Sequence, residues 1–261
     1  MKYGFIGCGN MGSSLARALC SSTKDIAIAD PSEKAKLLAS ALGITYADNS
    51  TVAAECQRIF LAVKPQMMAG CLKPLQGILA EKKPLLITIA AGLEISQIEA
   101  MVGTKLPIIR IMPNTPTAVG KGVILYCHND LVDPAVLADW LADMTPCGLI
   151  DNLAEGQIDA ASALSGSGPA YMYLFLEALA DGAVACGLPR AKAIEYAAAT
   201  MEGAAKMLLS SGEHPGALKD AVCSPGGSTI AGIRVLEQNG FRAAAMECVA
   251  AAYKRNKELG K

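Results

Sequence analysis

Histidine is almost missing from this chain. Two occur in 261 residues, His128 and His214, and no G-x-S-x-G elbow accompanies them, so a Ser-His-Asp hydrolase has little to work with. Neither has a partner at metal-ligand spacing, and no metal site is expected. Each reads as an ordinary loop histidine. The nine cysteines are odd in number, scattered, and never spaced C-x-x-C. Cys20, Cys127, Cys186 and Cys248 sit in apolar segments, which fits reduced thiols rather than a disulfide frame or a zinc site. Charge of either sign is not in excess: the net value is −1, which gives no basic field for nucleic acid or anionic lipid. Charges, prolines or glycines interrupt every apolar run before it reaches the length of a membrane span. Met1-Lys2 opens directly into a strand rather than a signal sequence. The expectation is a cytoplasmic protein with neither nucleic-acid nor membrane partners.

The apolar fraction is high, at 52%, enough for a sizeable core in one large or two smaller domains. The N-terminal segment organises the rest. Lys2 to Ile6 reads as a short buried strand. It enters Gly7-Cys8-Gly9-Asn10-Met11-Gly12 and then a segment of helical spacing through Leu19. This is the G-x-G-x-x-G dinucleotide fingerprint in its strand–turn–helix context. Gly7 permits the tight turn, Gly9 lets backbone approach a pyrophosphate, and Gly12 lets helix and strand pack closely. The helix N-terminus offers N–H groups to the phosphates. Cys8, inside the loop, reads as a small filler rather than a nucleophile.

Asp25 to Asp30 reads as the second strand. Asp30 follows Gly12 at about the twenty-residue spacing of the group that meets the adenosine ribose. A carboxylate there favours the free 2′-hydroxyl of NAD. Ser32, Lys34 and Lys36 follow closely and could offset a 2′-phosphate, and Pro31 could turn Asp30 away, so NADPH and NADH both stay open. Arg58 to Val63, Pro84 to Ala90 and Leu106 to Met112 are near-continuous apolar runs bounded by turn residues, as in parallel strands covered on both faces. Alternating with helical segments, they predict an α/β Rossmann domain with a doubly wound, mostly parallel sheet. Ligands in such sheets lie beyond the carboxyl ends of the strands. Asn10-Met11, Asn49, Lys64-Pro65, Ala91-Gly92 and Asn114-Thr115-Pro116 fall there. Gly122 to Cys127 and Cys147 to Ile150 read as late strands, and Asp133-Pro134 opens a helix well.

From about Asn152 the strand signals stop and Ala and Leu recur at helical spacing. The expected domains are therefore 1–151, dinucleotide-binding, and 152–261, all-α. The helix Ala170 to Cys186 is apolar almost all round, interrupted only by Glu177 and Asp181. So small a domain cannot cover it, which points to subunit contact. Arg190 to Ser211 reads as an amphipathic surface helix. Ser224-Pro225-Gly226-Gly227-Ser228-Thr229 feeds another helix, with Ile230, Ile233 and Leu236 at helical spacing. Backbone N–H groups from Gly227 to Thr229 could hold a carboxylate. A plain capping loop, with Ser228 or Thr229 as N-cap, is the other reading.

Taken together, the segments resemble pyrroline-5-carboxylate reductases. The matching stretches are Gly4 to Gly12, Ala62 to Pro65, Met112 to Pro116, Leu164 to Tyr171, His214 to Asp220 and Ser224 to Ile230. They run through nearly the whole chain in the family's order. The resemblance implies that the C-terminal domain is a dimerisation domain, intertwined into a homodimer; some members form larger rings of dimers. It implies reduction of 1-pyrroline-5-carboxylate to L-proline by hydride from NADPH or NADH, the last step of proline synthesis. By motif position, Ile6, Gly7, Cys8, Gly9, Asn10 and Met11, Asn49, Ala62, Val63, Lys64 and Pro65, and Ala90, Ala91 and Gly92 contact the cofactor. Ser228 and Thr229 contact substrate, with Glu155 nearby. Gly226 to Thr229 then anchor the substrate carboxylate, and the Thr229 hydroxyl serves the ring nitrogen as the catalytic group. One departure is Ala221, where some members carry a polar residue that helps hold the cofactor. Two rivals remain. A 3-hydroxyacid dehydrogenase needs a lysine on the first long helix of the second domain, and Ala170 to Cys186 has none. A non-catalytic nucleotide sensor would keep the Gly loop but lose Ser224 to Thr229.

Overall fold

A computed structural model describes residues 1–259. It carries one eight-stranded sheet. In chain order the elements of the first half are β1 (Tyr3–Ile6), α1 (Asn10–Leu19), β2 (Ile26–Ala29), α2 (Glu33–Leu42), β3 (Thr45–Tyr46), α3 (Asn49–Glu55), β4 (Arg58–Leu61), α4 (Pro65–Leu72), α5 (Gln76–Lys82), β5 (Leu85–Thr88), α6 (Ile95–Val102), β6 (Ile108–Met112), β7 (Gly122–His128), α7 (Pro134–Met144) and β8 (Gly148–Asn152). The strand order is β3-β2-β1-β4-β5-β6-β7-β8, so the chain reverses direction across the sheet between β3 and β4. β1, the sequence's first apolar run, lies between β2 and β4.

The apolar strands are buried on both faces because side chains alternate. Tyr3, Phe5, Ile26, Ile28, Phe60 and Ile87 join one core with Leu15, Leu19 and Trp140. Ile6, Ala27, Ile59, Leu61 and Leu86 join the other with Met68, Leu72 and Ile98. Phe5 stacks on Phe60 with ring centroids 4.5 Å apart. The helix boundaries follow local chemistry. Ser32 Oγ accepts from Ala35 N–H at the start of α2, Gly43 ends it in the left-handed region, and Asp133 caps α7 ahead of Pro134.

One pairing departs from the parallel pattern: β7 runs antiparallel to β6. The link Pro113 to Lys121 is shorter than a parallel crossover needs, so the chain doubles back. β8 then pairs parallel to β7.

The remaining elements are α8 (Glu155–Ser165), α9 (Gly168–Ala185), α10 (Arg190–Ser211), α11 (Pro215–Val222), α12 (Ser228–Gln238) and α13 (Phe241–Leu259). Strands end at Asn152, but the chain divides into compact units later. One is Met1–Ser167 with the stretch from Ala252 onward; the other is Gly168–Ala251. In the second unit α9 packs on α10, and Phe175 meets Phe241 at 5.3 Å. Within this single chain α9 is not covered: Tyr173 is 64% and Leu174 69% exposed. α10 departs from its expectation. Only Ala193 is buried along it, while Tyr196, Met207 and Leu209 are exposed. Apart from its contact with α9, its apolar remainder is largely uncovered in the single chain.

The first unit has a charged anchor within its core. Arg110, on β6, is 1% exposed. Its Nη2 donates to Asp159 Oδ1 at 2.8 Å and its Nη1 to Glu155 Oε1 at 3.3 Å. Lys257 Nζ reaches Asp159 Oδ2 at 3.0 Å, and Asn256 donates to the Asp159 carbonyl. One carboxylate thus ties α8 and the end of α13 to the sheet. Removing one partner of such a buried pair strands the other charge. Asp159→Ala is therefore expected to lower stability by about 3 kcal/mol, measured by urea unfolding. A loss below about 1 kcal/mol would mean that Glu155 alone suffices to hold Arg110.

Candidate functional site

The strand register assembles the site. Ile6 pairs with Ala29 on one side and Leu61 on the other, and Leu61 pairs with Thr88. The residues that follow these strands therefore emerge level at one edge: Gly7, Asp30, Ala62 and Ile89.

At that edge Gly7 has φ +91°, and a Cβ on it would lie 2.7 Å from the Ala62 carbonyl oxygen. A Cβ on Gly12 would lie 3.0 Å from the Gly7 carbonyl oxygen and 3.1 Å from Ala62 Cβ. Gly9 differs, since nothing lies within 4 Å of its Cβ position. It is the N-cap of α1 with no side-chain cap, and Ser13 N–H closes the first helical bond on its carbonyl. Asn10, Met11 and Gly12 N–H find no acceptor among the described residues. Open space over Gly9 and unpaired N–H groups at a helix start fit a pyrophosphate.

Asp30 braces this loop. Its Oδ2 accepts from Cys8 N–H at 2.7 Å and its Oδ1 from Ser32 N–H at 2.8 Å. Burial works against its ionisation, but the bonds from Ser32 and Cys8 outweigh it and hold the carboxyl below its ordinary pKa. Burial, aided by Asp30, pushes the Cys8 thiol up to about 11. Cys8 thus stays a protonated thiol at neutral pH, as a filler residue would.

A cavity of about 610 Å³ opens beside the loop, with Gly7, Gly9, Asp30, Asn49, Ala62, Val63 and Lys64 in its wall. Seven of the expected cofactor residues are thereby brought together. Ile6 is buried in β1, Cys8 and Gly12 underlie the turn, Asn10 and Met11 begin α1, and Pro65 begins α4. Ala90, Ala91 and Gly92 follow β5 at the same edge without lining this cavity. Met67 and Cys71 of α4 also line it and were not anticipated. Asn49 Nδ2 points at Cys71 Sγ at 3.6 Å, a contact between segments too distant in sequence to leave a local signal.

Glu155 is committed at the same edge. Besides facing Arg110, its Oε1 accepts from Ile95 N–H, the first residue of α6, at 2.8 Å. The second unit holds the other candidate. Gly226 has φ +68°, Gly227 is the N-cap of α12, and Gly227 N–H bonds the Ser224 carbonyl at 3.0 Å. Ser228 and Thr229 are helical residues and neither is the N-cap, so the capping-hydroxyl reading does not hold. Ala231 N–H is the first to bond back, to Gly227. The N–H groups of Ser228, Thr229 and Ile230 have no acceptor among the described residues. The histidines are used locally: His214 Nδ1 accepts from Gly216 N–H at the start of α11, and His128 Nδ1 lies 2.9 Å from the Asn129 carbonyl. No group of three or more His, Cys, Asp and Glu forms a metal site among the described residues.

Comparison with known proteins decides the family. A model described as pyrroline-5-carboxylate reductase dimerisation matches residues 155–259, and one described as NADP oxidoreductase, coenzyme F420-dependent, matches 2–92. A pyrroline-5-carboxylate reductase of Escherichia coli is 42% identical, covering 100% of this chain and 98% of its own length. The chain belongs to the pyrroline-5-carboxylate reductase family. The NADP-bound pyrroline carboxylate reductase structure of Plasmodium falciparum superposes with a TM-score of 0.91 at 36% identity, covering 100% of this chain and 98% of that one. The Streptococcus pyogenes 1-pyrroline-5-carboxylate reductase gives 0.90 at 34%, covering 99% and 98%. Pyrroline-5-carboxylate reductase relatives of full length leave no place for the 3-hydroxyacid dehydrogenase alternative.

Gly9→Val is expected to fill the open space above the loop while leaving the fold intact, since no atom of the protein is in the way. NADPH affinity should fall about a hundredfold, roughly 2.8 kcal/mol, at an unchanged melting temperature. Nucleotide fluorescence and a thermal melt read the two effects separately.

Proposed function

We propose that the chain reduces 1-pyrroline-5-carboxylate to L-proline with NAD(P)H held at the Gly7 to Gly12 turn. We also propose that the start of α12 recognises the substrate. The observation that carries the assignment is the unpaired N–H set of Ser228 and Thr229 at the head of an eleven-residue helix with no side-chain cap. A carboxylate is the complement of that arrangement in charge and geometry. The division of labour follows the sequence boundary: residues 1–151 hold the dinucleotide, and 152–261 hold the substrate and the subunit contact.

When bound, the reduced nicotinamide supplies the hydride that forms the new C–H bond at C5 of the ring, and the C=N electron pair moves to nitrogen. The protein's own residues orient the reactants. Gly226 to Thr229 fix the substrate carboxylate by backbone N–H, and the Thr229 hydroxyl oxygen accepts a hydrogen bond from the protonated ring nitrogen, which keeps that proton as the C=N pair moves onto it; solvent supplies the second amine proton afterwards. Glu155 contributes through Arg110 and the head of α6, keeping α8 in register with the cofactor edge. A protonated imine accepts hydride readily, so no histidine or lysine acid is required.

The second copy is the occupant of the exposed α9 face. Tyr173 and Leu174 are uncovered in the single chain, in the stretch matched by the dimerisation model. Association of such dimers into a ring is the finer expectation. The nine free cysteines suit a reducing compartment such as the cytoplasm. No helix among the described residues is long and apolar enough to cross a membrane.

Thr229→Ala is expected to lower kcat/KM about 10²-fold, the usual cost of losing a hydrogen bond made in the transition state, while the Kd for NADPH stays unchanged. Thr229→Ser should recover most of the rate. Near-normal turnover in the alanine variant removes Thr229 from the reaction. Leu174→Glu should convert the dimer to monomer by light scattering, since a charge would have to be buried at the contact. A wild-type mass equal to one chain overturns the pairing.

A further inference from the structure

The cofactor cavity does not end at Asp30. A second cavity, of about 320 Å³, shares Ala29, Asp30, Pro31 and Asn49 with it and continues to Tyr46 and Asp48. In a Rossmann site the adenosine ribose lies by the residue that ends β2, so this extension is where the ribose 2′ position falls. We propose that Asp30 and Asp48 make the chain select NADH over NADPH by placing two carboxylates, and no cation, around that position. This rests on the Gly7 to Gly12 turn being the dinucleotide site.

Four observations support the assignment. Asp30 is not turned away by Pro31: it lines both cavities and is fixed by Cys8 and Ser32 N–H. Asp48 is the N-cap of α3, and its Oδ1 accepts from Thr51 N–H at 2.7 Å. These bonds from the Thr51 backbone and side chain hold its carboxyl below the ordinary pKa, so both groups are anionic at neutral pH. Lys34 and Lys36, the cations that could have offset a phosphate, line neither cavity. Lys64 lines the larger cavity but not the extension. A 2′-phosphate would therefore meet like charge without compensation, whereas a 2′-hydroxyl can donate to a carboxylate.

Fluorescence titration of the full chain with NADH and with NADPH tests this. NADH should bind about tenfold tighter or more at low salt, the scale of like-charge repulsion near a surface. The gap should narrow as ionic strength rises. Asp48→Asn keeps an oxygen to cap Thr51 and removes the charge, so it should strengthen NADPH binding and leave NADH nearly unchanged. Asp30→Asn removes the other charge but leaves one carbonyl oxygen for two N–H groups, so it is read by the ratio of the two affinities. NADPH binding as tight as NADH in the wild-type chain overturns the proposal. So does a ratio that stays fixed in both variants. If neither nucleotide binds, the reading of the turn as the dinucleotide site falls first, and the selection with it.

Discussion

Where β1 and β4 end side by side, the backbone of Gly7 passes so close to Ala62 that a Cβ would lie 2.7 Å from its carbonyl oxygen. α1 then starts so close to both that Gly12 has room for no side chain without a shift. This contact fixes where α1 points, and α1 presents its N–H groups only in that direction. The level register of β1, β2, β4 and β5 brings Asp30, Ala62 and the segment after Thr88 to the same edge. A slip of one residue in any pair would turn an apolar strand face toward the wrong helix layer. The cofactor edge is thus set by the same register that sets the core.

Polar groups then fasten what packing alone leaves free. Asp30 joins the end of β2 to the Gly loop through Cys8 N–H. Glu155 and Asp159, four residues apart on α8, both reach Arg110, and Glu155 also meets the head of α6. Such clamps are costly when half made, so they specify one arrangement. They also separate roles that a sequence pattern merges. A carboxylate at a ligand edge can face the ligand, hold the backbone beside it, or do both: Asp30 lines the cavity while accepting from Cys8 and Ser32 N–H, and Glu155 accepts from Ile95 N–H and Arg110.

What was legible in the sequence was local. The Gly spacing, the apolar runs and the Asp133-Pro134 start are each set by neighbours in the chain, and each reappears in the fold. Assemblies of distant segments were not legible. Nothing near Arg110 indicates that it will meet Asp159 and, through it, Lys257. Nothing near Asn49 points to Cys71. The direction of β7 lay between these cases, since the short link Pro113 to Lys121 carries it but an apolar run read alone does not. At α12, composition left a capping hydroxyl and an anion-holding turn equally open. The helix boundary removes the first, because Gly227 is the N-cap and Ser228 is already helical.

The scarcity of histidine is consistent with the chemistry of the family. Both histidines are spent on local backbone contacts, and the Cys8 thiol is held protonated by burial. An enzyme that breaks an amide by nucleophilic attack could not work this way, since its nucleophile must lose a proton and its leaving amine must gain one. Reduction of an imine differs, because the acceptor arrives already charged and the donor carries its own electrons. What remains for the protein is placement, and placement is what glycine turns, helix starts and a fixed strand register provide.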